Sequence, residues 1–142
     1  MPAIVYWPGT IKPGVSNALW SQVDLYASIA SLIGYEVKDG EAVDSENILP
    51  VLLGKSQKGR EIMLEEAYTY GLRIGNWKYI EPTEESHAWI KENKNIEGGL
   101  STEPQLYNLS ADIGEQYNLA EEELEKVQEM QQTLKEIMNE KK

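Results

Sequence analysis

The stretch 72-LRIGNWKYI-80 decides the fold. Two short runs of strand-forming residues flank Gly75-Asn76, a two-residue signal for an antiparallel hairpin. Working backward, 61-EIMLEEAYTYGLRIG-75 is rich in strand formers. Working forward, 105-QLYNL-109 reads as another short strand and 110-SADIGEQYNLA-120 as a turn. Between them residues 81–104 are polar, Glu-rich and without pattern, which reads as a long loop or insertion.

The clearest element comes last. Leu124, Val127, Met130, Leu134, Ile137 and Met138 form one apolar stripe on an amphipathic helix of about five to six turns. Asn118, with Glu121 three residues on, is predicted to cap it. Glu121, Glu122 and Glu123 then sit in the first turn, where the helix dipole favours negative charge. The stripe covers only about two heptads, too few for a coiled coil. Its apolar face needs a partner, and the strands of the same half are the nearest. Residues 59–142 are therefore predicted as a small antiparallel sheet packed against a long C-terminal helix, an α+β layer pair.

The first half has another character. Ala3-Ile4-Val5-Tyr6-Trp7 is apolar without alternation and reads as a strand covered on both faces, as in a parallel sheet. Pro8-Gly9 ends it, and Pro13-Gly14 marks a second turn. In 21-SQVDLYASIASLIG-34, Val23, Tyr26, Ile29, Ala30 and Ile33 recur at helical spacing, and Leu25 and Leu32 widen the stripe. Ser21 with Asp24 resembles a capping box, and Gly34 is the expected left-handed terminator. A helix this apolar wants cover on more than one side. Lys38 to Arg60 is irregular, with 47-NILPVLLG-54 as one helical turn that packs down. The boundary between the halves is placed near residues 55–60.

Bulk properties narrow the function classes. Net charge is −11 over 142 residues, and eighteen of the 24 acidic groups lie beyond residue 60. Such an acidic surface repels phosphates, so nucleic acid is not a partner. With no cysteine there is no disulfide and no thiolate chemistry. No run approaches the roughly 20 apolar residues that span a bilayer, so no membrane partner is expected. The first residues lack the basic start and apolar core of a secretory signal.

Four stretches, in order, resemble the sulfatase family (arylsulfatase-like, within the alkaline phosphatase superfamily). Residues 2–34, PAIVYWPGTIKPGVSNALWSQVDLYASIASLIG, are similar to a segment with an I-V-x-W-P-G strand, a P-G turn and a helix S-x-x-D-L-x-x-T-x-x-x-L-x-G. Residues 44–54, DSENILPVLLG, resemble D-G-x-x-L-x-P-x-L-x-G. Residues 72–80 resemble R-x-G-x-W-K-Y-I, and 106-LYNLSADIGEQYNLA-120 resembles L-Y-D-L-x-x-D-P-x-E-x-x-N-L-A. Asn108, Ile113 and Ser45 replace the usual Asp, Pro and Gly, and Ala27-Ser28 stands where Pro-Thr is common.

The resemblance is to the C-terminal third of a sulfatase. It implies that residues 1–58 are a strand–helix remnant and linker from the end of a larger α/β catalytic domain, and 59–142 the C-terminal subdomain. It implies a sulfuric ester hydrolase, in which a formylglycine made from a C/S-x-P-x-R motif attacks sulfur beside calcium. Two positions before the prolines stand Tyr6, Ile11, Ile48, Ile80 and Thr102, so that motif is absent here. Asp24, Asp39, Asp44 and Asp112 are followed by Leu, Gly, Ser and Ile, which excludes the family's Asp-Asp and Asp-Asn ligand pairs. No catalytic or metal residue is carried over. Calcium and formylglycine are expected only in a full-length member, and this chain alone is expected to be inactive. By family habit the setting is periplasmic or secreted.

His87 and Trp89, with Lys91 beside them, are candidates for contact with a sulfated sugar, because in the family the C-terminal subdomain borders the cleft. A solvated loop is the plainer reading of that segment. Arg73 is a candidate anion contact, against pairing with one of the many Glu side chains. Asp24 could hold a ligand, but helix capping explains it more simply. Trp7 and Trp77 are expected in a core or a domain interface. Asn108-Leu109-Ser110 matches the short glycosylation acceptor pattern.

Three roles compete. The chain completes a sulfatase and borders its cleft, with the upstream catalytic portion and a glycan or aryl sulfate ester as partners. Alternatively it is an independent acidic protein- or glycan-binding module without catalysis, or a truncated product with no function alone. If residues 1–35 lack their neighbours, the exposed apolar surface costs several kcal/mol at about 25 cal/mol per Å² and favours self-association.

Overall fold

A computed structural model describes residues 3–83 and 99–140, the side chain of Glu140 excepted. The chain divides into two compact units, Met1–Met63 and Leu64–Lys142.

The first unit is built on helix α1, Asp24–Ile33, and a single turn of helix, α2, Leu49–Leu52. α1 ends at left-handed Gly34, where the Gly34 and Tyr35 N–H groups return to the Ser31 and Ala30 carbonyls. α2 starts with Pro50 near its first position, where no N–H is needed, and buries Ile48 and Val51. Arg60 N–H donates to the Leu19 carbonyl at 2.8 Å. Gly59 is required there, because a Cβ would lie 2.0 Å from the Leu19 oxygen.

Residues 3–7 do not form the strand that their composition predicts. A strand exists only by pairing, and none of the described strands pairs with this segment. Ile4 is 93% exposed and Tyr6 and Val15 are exposed beside it.

The second unit carries a four-stranded sheet in the order β1-β2-β3-β4: Ile62–Glu66, Tyr70–Ile74, Trp77–Ile80 and Gln105–Asn108. β2 and β3 pair antiparallel, with Ile74 opposite Trp77 and Leu72 opposite Tyr79. This is the predicted Gly75-Asn76 hairpin, and Gly75 takes the left-handed φ of 56° that such turns demand. β3 pairs antiparallel with β4, Tyr79 opposite Leu106.

Alternation sends Leu72, Tyr79 and Leu106 to one face. There they meet Val127, Met130 and Leu134 of helix α3, Leu124–Glu140, with Ala120 closing the core. Ile137, Met138 and Trp77 pack around it. The expected α+β layer pair is thus formed. The helix begins later than its cap signal predicts: Leu119 to Glu123 form a turn, with Glu122 and Glu123 N–H donating to the Leu119 carbonyl. Leu124, predicted in the stripe, is exposed. Asn118 is not its cap, because its side chain is used elsewhere.

Candidate functional site

Two polar constellations organise the described residues. The first lies in the unit Met1–Met63. Asp24 is fully buried, an expensive place for a carboxylate unless every oxygen is paired. Its Oδ2 accepts the Ser21 N–H at 2.8 Å, the backbone half of the predicted capping box. Its Oδ1 accepts the Glu46 N–H at 2.9 Å and an Arg60 Nη1 hydrogen at 2.7 Å. Arg60 also donates to the Asp44 carbonyl at 3.1 and 3.2 Å and pairs with Glu46 at 3.1 Å. One helix turn on, Ser28 Oγ–H donates to the Asp24 carbonyl while accepting the Ile48 N–H. The Ala27 N–H donates to Ser45 Oγ at 3.0 Å.

Asp24, Ser28 and Arg60 therefore tie three separate stretches of chain together. With its oxygens so engaged, Asp24 is a structural anchor, the role that capping only began to describe. Ser28 and Ser45, both departures from the family pattern, carry part of the same network. Arg60 Nε is buried with no partner among the described residues.

The second constellation lies on the sheet face opposite the core. Register places Arg73 beside Lys78 and Lys78 beside Tyr107. Lys78 Nζ donates to both oxygens of Glu115 at 2.7 Å. Among the described residues Arg73 pairs with no Glu; its Nε donates to the Gly75 carbonyl at 3.0 Å, within its own hairpin. The Tyr107 hydroxyl donates to Gln105 Oε1 at 2.8 Å.

The loop after β4 explains the residue pattern 106–120. Asn108 Oδ1 accepts from the Ser110 N–H and hydroxyl. Asp112 Oδ2 accepts the Gln116 and Tyr117 N–H groups. Asn118 Oδ1 accepts the Leu106 and Ala120 N–H groups, and its amide donates to the Pro104 carbonyl. Asn108, Asp112 and Asn118 all hold backbone N–H groups, so the motif is a clasp between β4 and α3.

His87 and Trp89 lie outside the described residues. The segment that carries them is bounded by a Thr83 N–H to Ser101 carbonyl bond at 2.8 Å. Arg73 sits near the Gly75 turn, and that segment leaves β3 at its other end, roughly 10 Å away at 3.4 Å per residue. Trp77 packs on the core with Lys126 Nζ 6.0 Å from its ring centre, and Trp7 is part-exposed. The Asp24–Arg60 pair was not legible in the sequence. Its one signal was a lone Arg after Gly59 in an otherwise irregular stretch.

No family model matches the chain. It is 38% identical over 141 residues to an N-acetylgalactosamine-6-O-sulfatase of Bacteroides thetaiotaomicron, spanning 96% of this chain and 27% of that protein. It is 30% identical over 130 residues to human arylsulfatase A, spanning 83% and 25%. A solved structure from work on glycosaminoglycan metabolism by Bacteroides thetaiotaomicron superposes with a TM-score of 0.84 at 37% identity, over 92% of this chain and 27% of that one. A structure bound to D-glucosamine-2-N,6-O-disulfate shares the fold, with a TM-score of 0.63 at 23% identity over 94% and 27%. The chain spans about a quarter of the length of the relatives it matches.

Proposed function

The chain belongs to the sulfatase family, and from that premise we propose that it is the C-terminal part of a sulfuric ester hydrolase, completing the fold and bordering the substrate cleft. The observation that carries this reading is the inverted burial of α1. Val23, Tyr26, Ile29, Leu32 and Ile33 are exposed, while Asp24 and Ser28 are buried together with the small Ala30. An apolar face of this kind, together with an exposed apolar segment at 3–7 outside the sheet, is matched in chemistry to a sheet supplied by the upstream catalytic portion.

The substrate class is a sulfate ester on a glycan, by analogy with the relatives that act on sulfated amino sugars. The nucleophile and the calcium ligands belong to the upstream portion, and this chain supplies none of them. Arg73, His87 and Trp89 are the residues proposed to face substrate. The Arg73 guanidinium is anchored at Nε, and among the described residues its terminal nitrogens are left to meet an anion. Without the upstream portion, the chain self-associates through residues 1–35.

The test is complementation. The chain is mixed with the upstream three quarters of the Bacteroides relative, and 4-nitrophenyl sulfate turnover is measured with and without calcium. Activity is expected only from the mixture, and from neither part alone. Turnover by the chain alone that survives repurification overturns the proposal. Sedimentation of the isolated chain is expected to show concentration-dependent association, weakened by Ile29→Ser.

A further inference from the structure

Within the first unit, the end of α1 and the loop that follows it line a shallow, open groove of about 580 Å³. Ala27, Ser31, Gly40, Ala42 and Ser45 give it a floor of small side chains, and Tyr35 stands as its aromatic wall. The Tyr35 hydroxyl donates to both Glu41 oxygens, at 3.1 and 3.3 Å, and Glu41 also accepts the Lys38 N–H at 3.2 Å. These bonds fix the ring relative to the loop. The Glu41 carboxylate, as hydrogen-bond acceptor, raises the phenol pKa above its ordinary value.

Around this wall the polar groups are unspent. Among the described residues, the side chains of Ser31, Lys38 and Asp39 make no hydrogen bond or ion pair. Asn47 uses its Oδ1 on the Leu49 N–H, which leaves its amide hydrogens. The groove thus offers a hydroxyl, an amide donor, a carboxylate and an ammonium beside one fixed aromatic face. A pyranose fits that set: its C–H face packs on an aromatic ring and its neighbouring hydroxyls pair with mixed donors and acceptors. Charge selects further. Asp39 and Glu41 against Lys38 leave the lining net negative, which disfavours sulfated or carboxylated sugars.

We propose that this groove is a binding site for an uncharged saccharide unit. It does not rest on the activity proposed above, because it uses only residues 27–47 of the first unit.

The test is a titration of the isotope-labelled chain with N-acetyllactosamine and, separately, with galactose 6-sulfate, following backbone amide shifts. Saturable shifts at residues 37–43 and Asn47 are expected with the neutral sugar, with affinity on the order of millimolar for so open a site. Galactose 6-sulfate is expected to bind at least about tenfold more weakly. Tyr35→Ala should weaken the neutral sugar by about tenfold or more while the Asp24 and Ser28 amides stay in place. If those amides move, Asp39→Asn is the second variant, with a loss of severalfold expected. No saturable shift, equal binding of the sulfated sugar, or unchanged binding in Asp39→Asn overturns the proposal. Success of the complementation experiment with failure here would remove the groove alone.

Discussion

Helices α1 and α3 carry similar apolar stripes and treat them in opposite ways. α3 turns Val127, Met130 and Leu134 onto Leu72, Tyr79 and Leu106, and Gln131 at its border donates to the Tyr79 hydroxyl at 3.1 Å. α1 buries Asp24 and Ser28 and leaves Ile29 51% exposed. Periodicity announces that a helix has an apolar side; it does not say whether the partner lies in the same stretch of chain. α3 finds its partner in the strands of its own unit. α1 is held by polar bonds to residues 44–60, and much of its apolar side lies exposed.

That contrast can be broken by mutation. The largest effect is expected from Asp24→Ala, which strands a largely buried Arg60 and frees two backbone N–H groups. A loss of about 3–5 kcal/mol is expected in the first unit, read as collapse of hydrogen-exchange protection there while the second unit keeps its own. If Asp24→Ala is neutral, polar anchoring does not hold α1. Met130→Ala removes the centre of the other core and is expected to cost about 2–5 kcal/mol in urea unfolding of the second unit. Glu115→Gln weakens the half-exposed pair with Lys78 and is expected to cost about 1 kcal/mol by the same measurement.

The smallest effects sharpen the contrast. Ile29→Ser, on the exposed side of α1, is expected to change stability by less than about 0.5 kcal/mol, whereas a serine at Met130 would not be tolerated. Tyr79 tests the covered core by pH. Burial holds its phenol above the ordinary value of 10.0, so the folded state keeps the proton longer than the unfolded chain. That contribution is whole below pH 10 and is lost as pH rises through the folded value. Base titration of Tyr79→Phe should show a flatter decline of stability than the parent.

Much of the second unit was legible. The Gly75-Asn76 hairpin, the strand at 105–108 and the stripe of α3 follow from turn chemistry and period, which are local. The helix start was misread because Asn118, a good capping residue, is spent on the Leu106 and Ala120 amides. A cap signal states what a side chain could accept, and a neighbouring strand offered a competing donor. Of the candidate substrate contacts, Arg73 was weighed as an anion contact against pairing with a Glu, and its anchor on the Gly75 carbonyl, which depends on the hairpin geometry, was not foreseen.

By itself the sequence determined the elements that close on near neighbours, together with the order of four motifs that marks the family. Tertiary structure alone decided that residues 3–7 stand outside the sheet, that Asp24 is an anchor as well as a cap, and that α1 buries Asp24 and Ser28. The physical reason is common to all three. Local propensity acts over a few residues, whereas pairing and burial depend on what a distant part of the chain brings within hydrogen-bonding reach.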